Sequence, residues 1–293
     1  MRHESLTACL AARPGILSRG PVAVILAEDA VEIGSTLAHH LGCGFAAVLL
    51  FADPGLALGD LPELADPRVE RIDMGMAEGH AAPRAVNAVI AAAAPGTWLY
   101  YCYGAEYLFY PYSESRTVGE MLGFVAEERR EAVLTYVVDL YAANLAAAPD
   151  AVSLEDAHLD RTGYYALARP DPGRHNHPME RQLDFFGGLR WRFEEHVPEA
   201  ARRIDRIALF RARPGLRLLD GHLLSEPELN TYACPWHHSL TAAIASFRTA
   251  KALKTNPGSS GAIGDFRWKS SVPFDWHSRQ LMDLGLMEPG QWF

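Results

Sequence analysis

The sequence predicts an α/β fold in which a mostly parallel central sheet is flanked by helices and followed by an irregular C-terminal half. Over roughly the first 145 residues, short runs of consecutive apolar residues alternate with helical patterns. Such runs are typical of strands that are buried on both faces of a parallel sheet. Beyond Asn144 the periodicity weakens, and Pro, Gly and His become frequent up to Gly188, which predicts long loops with short strands.

The predicted strands are short and rich in β-branched or aromatic residues, and turn residues follow several of them. They cover residues 22–26, 46–51, 69–74, 97–102, 132–139 and 206–211.

Helices are predicted between the strands from their start and stop signals. Asp29 is a favourable N-cap, and an apolar stripe runs from Ile33 to Leu41 before Gly42. An Ala-rich helix begins at Pro83, and the spacing of Thr117 and Glu120 predicts a capping box. Two further expectations are an amphipathic helix over 239–254 and a loop over 256–264.

Composition narrows the class of protein. Of 293 residues 49% are hydrophobic and 22% are charged, which excludes a wholly disordered, collagenous or coiled-coil chain. The net charge of −9 argues against nucleic acids and anionic membrane surfaces as general partners. No apolar run approaches the roughly 20 residues of a membrane span, and no signal-peptide pattern opens the chain, so we expect a soluble protein without a transmembrane segment.

Four scattered cysteines show no C-x-x-C spacing, which argues against a zinc ribbon or a thioredoxin motif. The pattern predicts a reduced, cytoplasmic protein. Cys43 and Cys102 lie in apolar runs and are expected to fill the core, and Cys9 and Cys234 lie elsewhere.

Several common motifs are absent or misplaced. The G-x-G-x-x-A pattern at 42–47 follows a predicted helix and opens a strand, which is the reverse of a dinucleotide-binding fingerprint. No P-loop and no G-x-S-x-G elbow occurs. Twelve histidines, including the pairs His39-His40 and His237-His238, leave a histidine metal centre open as an alternative.

Three acidic residues follow predicted strands. Asp29 follows the first strand, Asp53 the second, and Glu106 comes shortly after the strand at 97–102. Ligands of open parallel sheets bind outside the carboxyl ends of the strands, so the three carboxylates are expected to face one crevice. Carboxylates there can bind a ribose, a uracil imide or a divalent cation. Taken singly, Asp29 also fits a plain N-cap and Asp53 a turn residue.

Several segments match, in order, the motifs of one family. They are Glu28-Asp29 after a strand, His40 to Gly44 at a helix end, Asp53-Pro54, Trp98 to Leu108, Val137 to Tyr141, Gly187 to Phe193 (GGLRWRF), and the histidines His222, His237 and His238. Over residues 20–255 the chain thereby resembles bacterial family 2 glycosyltransferases of the GT-A fold.

The resemblance implies a single GT-A-like domain over 1–293, with a nucleotide-binding half at 20–145 and an acceptor-side half with C-terminal helices at 146–293. The implied activity is the transfer of a sugar from a UDP- or GDP-linked donor to the hydroxyl of a glycan or another acceptor. Both the stereochemistry and the identity of the sugar stay open.

The resemblance also implies roles for single residues. Asp29 and Asp53 would bind the nucleoside, and Tyr103 would lie at the donor. Arg190 and Arg192 would stabilise charge on the diphosphate, as guanidinium groups bind phosphate oxygens in a fork.

The catalytic candidates are Glu106, Asp160 and His222. Glu106 would lie by the donor sugar or the diphosphate. Asp160 and His222, together with Asp156, are candidates for the general base or the acceptor pocket.

One departure from the family pattern bears on the metal. The family motif W-x-x-x-x-D-x-D-E-F-L places two aspartates where this chain has Tyr103 and Ala105. In the family these carboxylates hold Mg²⁺ or Mn²⁺, cations that prefer oxygen ligands. We therefore assign no metal ligands and leave the cofactor unknown.

Three outcomes stay open. In the first, the chain is a metal-independent transferase that uses Arg190, Arg192 or Lys269 on the diphosphate. In the second, Glu106 and a histidine rebuild a metal site. In the third, the fold binds a ligand or a protein without turnover.

Overall fold

The computed structural model describes residues 1–76, 80–230 and 239–292 and shows a mixed α/β protein with a large, mostly parallel sheet. Its contacts group into two compact units. The first unit comprises residues 1–108, 115–133 and 207–229, and the second comprises 109–114, 134–206 and 230–293.

The first unit is built from alternating strands and helices. They are β1 (Arg2–His3), α1 (Leu6–Ala12), β2 (Val22–Ala27), α2 (Ile33–Gly42), β3 (Ala47–Ala52), β4 (Val69–Asp73), α3 (Ala81–Ala92), β5 (Trp98–Tyr103) and α4 (Val118–Glu127). Strand β6 (Glu106–Phe109) begins in this unit, and residues 207–211 of β11 (Asp205–Arg211) belong to it.

The sheet of the first unit has the strand order β1-β4-β3-β2-β5-β11. Strands β1 to β5 pair in parallel, and only β11 runs antiparallel, against β5. Every residue of β2 and β3 is buried, which explains why both strands read as unbroken apolar runs. The predicted strands 22–26, 46–51, 69–74 and 97–102 are therefore confirmed to within one residue at each end.

The helices of the first unit bury one face each, with the spacing of an α-helix. In α2 the buried residues are Ile33, Thr36, Leu37 and His40. The capping box of α4 is confirmed, because Thr117 Oγ accepts from the Glu120 N–H while the Glu120 carboxylate accepts from the Thr117 N–H.

The N-cap prediction for α2 is wrong. Glu32, in a left-handed conformation, precedes the helix. Asp29 instead accepts a hydrogen bond from the N–H of Val31 (2.9 Å), which holds a turn between β2 and the helix.

The second unit contains shorter and less regular elements. They are most of β7 (Ala132–Ala142), β8 (Ala157–Asp160), β9 (Tyr165–Asp171), β10 (His177–Phe186), α5 (Gly188–Arg192), β12 (Ala242–Ser246), α6 (Arg248–Thr255), α7 (Pro257–Ser260), β13 (Ser271–Pro273) and α8 (Ser278–Asp283). Strand β7 pairs with β12 in parallel and with β8 antiparallel, and β9 and β10 form a hairpin of their own.

Two expectations for this part of the chain are wrong. Residues 239–254 form strand β12 and then helix α6, rather than one helix. All five residues of β12 are buried, and a short apolar run that is buried on every side shows no periodicity to separate strand from helix. Residues 146–188, for which we predict long loops with short strands, contain the hairpin β9–β10, whose strands of 7 and 10 residues are longer than expected.

Within the described ranges, every helix falls short of the length or the apolar character that a membrane span needs. Cys43 and Cys102 are buried, as predicted, whereas Cys234 lies outside the described residues.

Candidate functional site

The carboxyl edge of the parallel strands in the first unit is the natural place for a ligand. Along the chain, β2 is followed by β3 and then β4 on one side, whereas β5 pairs with β2 on its other side. The direction in which strands are added thus reverses between β2 and β5. In open α/β sheets ligands bind at such a switch point, outside the carboxyl ends of the strands.

The strand register brings three predicted site residues to this edge. Ala27 lies level with Ala52 on β3, and Leu26 lies level with Tyr103 on β5. Asp29 and Asp53 follow Ala27 and Ala52 by two residues and one residue. With strands spaced by about 4.8 Å, the ends that carry Asp53, Asp29 and Tyr103 span three neighbouring strands, or about 10 Å.

Each of the two aspartates holds a loop in place. Asp29 and Asp53 are both half-buried. Oδ2 of Asp53 accepts a hydrogen bond from the N–H of Met76 (3.1 Å), which joins the loop after β3 to the loop after β4. The Asp53 carbonyl accepts from Arg71 (3.2 Å). The two carboxylates are therefore held at fixed positions along the edge.

The turn after β5 is tightly built. Glu106 is fully buried, and its Oε2 accepts a hydrogen bond from the N–H of Tyr103 (2.9 Å). Between them, the N–H of Gly104 donates to the Leu26 carbonyl (2.9 Å), and a Cβ added at Gly104 would lie 2.7 Å from Cδ1 of Ile33. The Glu106 carboxylate thus fixes the backbone of this turn from inside the protein.

A histidine that the sequence singled out lies against two tyrosines of β5. Nδ1 of His222 lies 3.1 Å from the hydroxyl of Tyr101, whose ring stacks on the imidazole at a centroid distance of 5.9 Å. The ring of Tyr103 meets the same imidazole edge-on at 6.1 Å. His222 has a φ of +62°, and such backbone conformations concentrate at functional sites.

A second histidine in the same unit carries an acidic partner. Nδ1 of His80, the residue before α3, lies 2.5 Å from Oδ1 of Asp220, and both side chains are largely exposed. A carboxylate at Nδ1 orients an imidazole and leaves Nε2 for a ligand. Sequence reasoning missed this pair, because 140 residues separate its members and neither stands in a motif.

The arginines of the GGLRWRF segment bind buried carboxylates of the second unit. Nε of Arg190 lies 3.3 Å from Oδ1 of Asp139 on β7, and its Nη1 donates to the carbonyl of Arg203 (2.7 Å). Gly188 packs on the same carboxylate, since an added Cβ would lie 3.0 Å from Oδ2 of Asp139. The Arg190 guanidinium is therefore used within the unit, alongside a buried acid.

Arg192 pairs with Asp160 in the same manner. Its Nε lies 3.1 Å from Oδ2 of Asp160, and both side chains are buried. Oδ1 of Asp160 accepts from the Tyr141 hydroxyl (2.6 Å) and from Nε1 of Trp268 (2.7 Å). The guanidinium also lies over the Trp268 ring, 4.9 Å from its centroid, and donates to the carbonyl of Phe266.

Burial has the largest effect on the pKa values of Asp160 and Tyr164 in this cluster. It raises the pKa of Asp160, although hydrogen bonds from Tyr141 and Trp268 and the charge of Arg192 act in the opposite direction. Burial also raises the pKa of Tyr164, whose ring lies against Gly187. Asp160, which the sequence offered as a candidate for the general base or the acceptor pocket, is thus enclosed by its own hydrogen-bond partners.

Metal-type ligands gather at a different place. Among the described residues, the one group of three or more His, Cys, Asp or Glu side chains with suitable spacing is His3, Cys9 and Glu70. His237 and His238, which the resemblance places on the acceptor side, lie outside the described residues. The described part of the carboxyl edge shows no comparable group.

No protein-family model and no curated protein matches the chain. Among solved structures, the chain is similar to a 4-diphosphocytidyl-2C-methyl-D-erythritol synthase, with 21% sequence identity and a TM-score of 0.29. The similar part covers 43% of this chain and 64% of the synthase, which is less than two thirds of that protein. A TM-score this low does not establish a shared fold or a shared activity.

Proposed function

We propose that the chain is a nucleotide-binding transferase of GT-A-like fold that takes a nucleoside-diphosphate sugar at the carboxyl edge of β2, β3 and β5. The observation that carries this proposal is the switch point between β2 and β5, with Asp29, Asp53 and Tyr103 at the ends of three adjacent strands. The sequence segments that match the glycosyltransferase motifs in order are the reason for proposing a nucleotide sugar, rather than a nucleotide alone, as the ligand.

In this proposal Asp29 and Asp53 accept hydrogen bonds from the nucleoside. A ribose offers hydroxyl donors and a uracil or guanine offers N–H donors, so a pair of fixed carboxylates suits either base. Tyr103 lies beside the donor, and Glu106 acts from the interior by holding the backbone N–H of Tyr103 in place.

The diphosphate leaving group needs donors or positive charge. Arg190 already binds Asp139, and Arg192 already binds Asp160. We therefore propose that the two arginines hold these buried carboxylates in place within the second unit. In the first unit Nδ1 of His222 can accept from the Tyr101 hydroxyl, which leaves the Nε2–H of His222 as a donor for the phosphate oxygens. This arrangement is the metal-independent form of the reaction.

Transfer would proceed by attack of the acceptor hydroxyl on the anomeric carbon. The bond from that carbon to the phosphate oxygen breaks, and the nucleoside diphosphate leaves with the bonding electron pair. The hydroxyl proton passes to a base, and in the first unit His80, with Asp220 at its Nδ1, has the arrangement for this role. Asp160 does not take it in this proposal, because its carboxylate is bound by Tyr141, Trp268 and Arg192 within the second unit.

A second function is favoured by one specific feature. Tyr103 and Ala105 stand at the two aspartate positions of the family motif, and the neighbouring Glu106 is buried and bound to the backbone. A chain built in this way can bind a nucleotide or a nucleotide sugar without turning it over. Donor hydrolysis and transfer at background level, with nucleotide binding intact, would select this alternative.

The test is calorimetric titration of the full chain with UDP and with GDP, with and without Mn²⁺. We expect saturable binding of one nucleotide and a Kd that rises roughly tenfold or more in Asp29→Asn and in Asp53→Asn, as each change removes one charged hydrogen-bond acceptor. Both changes keep an amide oxygen for Val31 and Met76, so the loops should persist.

Asp66→Asn is the matched control. Asp66 precedes β4 at the opposite edge of the sheet and pairs with Arg68. Its substitution makes the same chemical change away from the proposed site and should leave the Kd unchanged. If neither nucleotide binds the unsubstituted chain at millimolar concentration, the proposed function is wrong.

A further inference from the structure

His3, Cys9 and Glu70 come from three separate elements and meet inside the first unit. His3 lies on β1, Cys9 on α1 and Glu70 on β4, and all three are buried. One ligand atom from each residue lies within 4.8 Å of the other two. Nothing in the proposed transferase reaction uses this cluster.

We propose that these three side chains form a binding site for a divalent transition metal of the zinc class. An imidazole nitrogen, a thiolate and a carboxylate are each ordinary zinc ligands, and together they provide three of the four positions of a tetrahedral site. With bond lengths of about 2.0–2.3 Å, tetrahedral ligand atoms stand about 3.3–3.8 Å apart. The 2.7 Å contact between His3 and Glu70 would therefore widen, and spacings toward the 4.8 Å limit would close by about 1 Å, when a metal binds.

Without a metal, the cluster is held by a shared proton and by two cations on Glu70. Nε2 of His3 and Oε2 of Glu70 share a hydrogen bond of 2.7 Å, and Nη1 of Arg13 donates to Oε1 of Glu70 (2.6 Å). The Met1 amine lies 3.4 Å from Oε2. A bound metal would replace the shared proton, and the Glu70 carboxylate would bind the metal instead of Arg13.

The exposure of these groups favours that exchange. The Arg13 side chain is 39% exposed and can turn into water, whereas the side chains of His3, Cys9 and Glu70 are buried.

The experiment uses the full chain without a histidine tag, stripped of metal and titrated with Co²⁺ and then with Zn²⁺. We expect one equivalent of Co²⁺ to produce a thiolate charge-transfer band in the near ultraviolet, and Zn²⁺ to displace it. Cys9→Ser and His3→Gln should lose the band. Cys43→Ser removes another buried cysteine of the same unit and should keep it.

A substitution of Arg13 distinguishes a metal site from a purely structural cluster of ion pairs. Arg13→Gln removes the nearer of the two cations on Glu70, and we expect it to tighten Zn²⁺ binding by about tenfold. Circular dichroism checks that each variant is folded. A folded chain that gives no thiolate–cobalt band, a band that persists in Cys9→Ser, or an unchanged Zn²⁺ affinity in Arg13→Gln would overturn the proposal. Nucleotide titration of the same samples tests the transferase separately.

Discussion

The backbone N–H of Tyr103 donates a hydrogen bond to Oε2 of the fully buried Glu106, at 2.9 Å. Three residues apart in sequence, the two close the turn at the end of β5, next to the switch point of the sheet. The family motif that this stretch resembles uses its acids to hold a metal. Here the remaining acid holds the backbone of the turn.

This relationship predicts different effects for two substitutions of Glu106. Glu106→Gln keeps an oxygen that can accept from the Tyr103 N–H, whereas Glu106→Ala leaves that buried donor without its partner, at a cost of about 1–3 kcal/mol. Urea unfolding should therefore show a clearly larger loss of stability for Glu106→Ala. Equal losses in the two variants would contradict the positioning role that we give to Glu106.

The ion pair between Arg192 and Asp160 should be worth more to folding than a surface pair. Removing one partner leaves a buried charge uncompensated, which typically costs about 3–5 kcal/mol. We expect Arg192→Met to lose an amount of that order in urea unfolding, and Arg192→Met with Asp160→Asn to regain a large part of it. An Arg192→Met variant as stable as the unsubstituted protein would show that the pair is not structural.

Gly187 should tolerate no side chain. A Cβ at this position would lie 2.2 Å from Cδ1 of Tyr164, a distance that forces the ring or the backbone to move. Gly187→Ala should therefore destabilise the protein by more than about 1 kcal/mol, as overpacking does. Gly123→Ala, in α4 with no atom near the added Cβ, is the control. It should stabilise by about 0.5–1 kcal/mol, since Ala favours the helix.

The stability of the protein should fall in mild acid because of His40. Burial lowers the pKa of His40 from 6.5 to about 3. Between about pH 3 and pH 6.5 the unfolded chain binds a proton at His40 that the folded protein does not bind. The contribution of the neutral His40 to the free energy of unfolding is therefore full above pH 6.5 and is lost as the pH falls. For one group with this shift, the loss between pH 8 and pH 5 is about 2 kcal/mol.

His40→Asn tests this assignment. The Asn amide can replace Nδ1 as the donor to the Thr36 carbonyl, although stacking on Tyr100 is lost. The variant should be less stable at pH 8 but should lose about 2 kcal/mol less than the unsubstituted protein between pH 8 and pH 5. Parallel urea-unfolding curves at both pH values measure the difference. The same pH-dependent loss in both proteins would rule out His40 as the source.

Local chemistry made part of this structure predictable. The strands of the first unit were readable because β2 and β3 are buried on both faces and so contain only apolar residues. The positions of Asp29 and Asp53 followed from the ends of those strands. The capping box at Thr117 was readable because both of its partners lie within one helical turn.

Other features depend on contacts between distant parts of the chain. The sequence pointed to Arg190 and Arg192 as charged residues of interest, but nothing near them revealed Asp139 and Asp160 as their partners. The pair His80–Asp220 was missed for the same reason. Strand β12 was mistaken for part of a helix because its neighbours in the second unit, rather than its own periodicity, determine its conformation.

Hydrogen–deuterium exchange with and without a saturating nucleotide, UDP or GDP, locates the nucleotide site without any substitution. We expect slower exchange at three separate places, residues 28–32, 53–56 and 103–106, with the control segment 66–71 at the opposite end of β4 unchanged. Protection confined to other parts of the chain, or no change under conditions where calorimetry shows binding, would contradict a nucleotide site at the carboxyl edge.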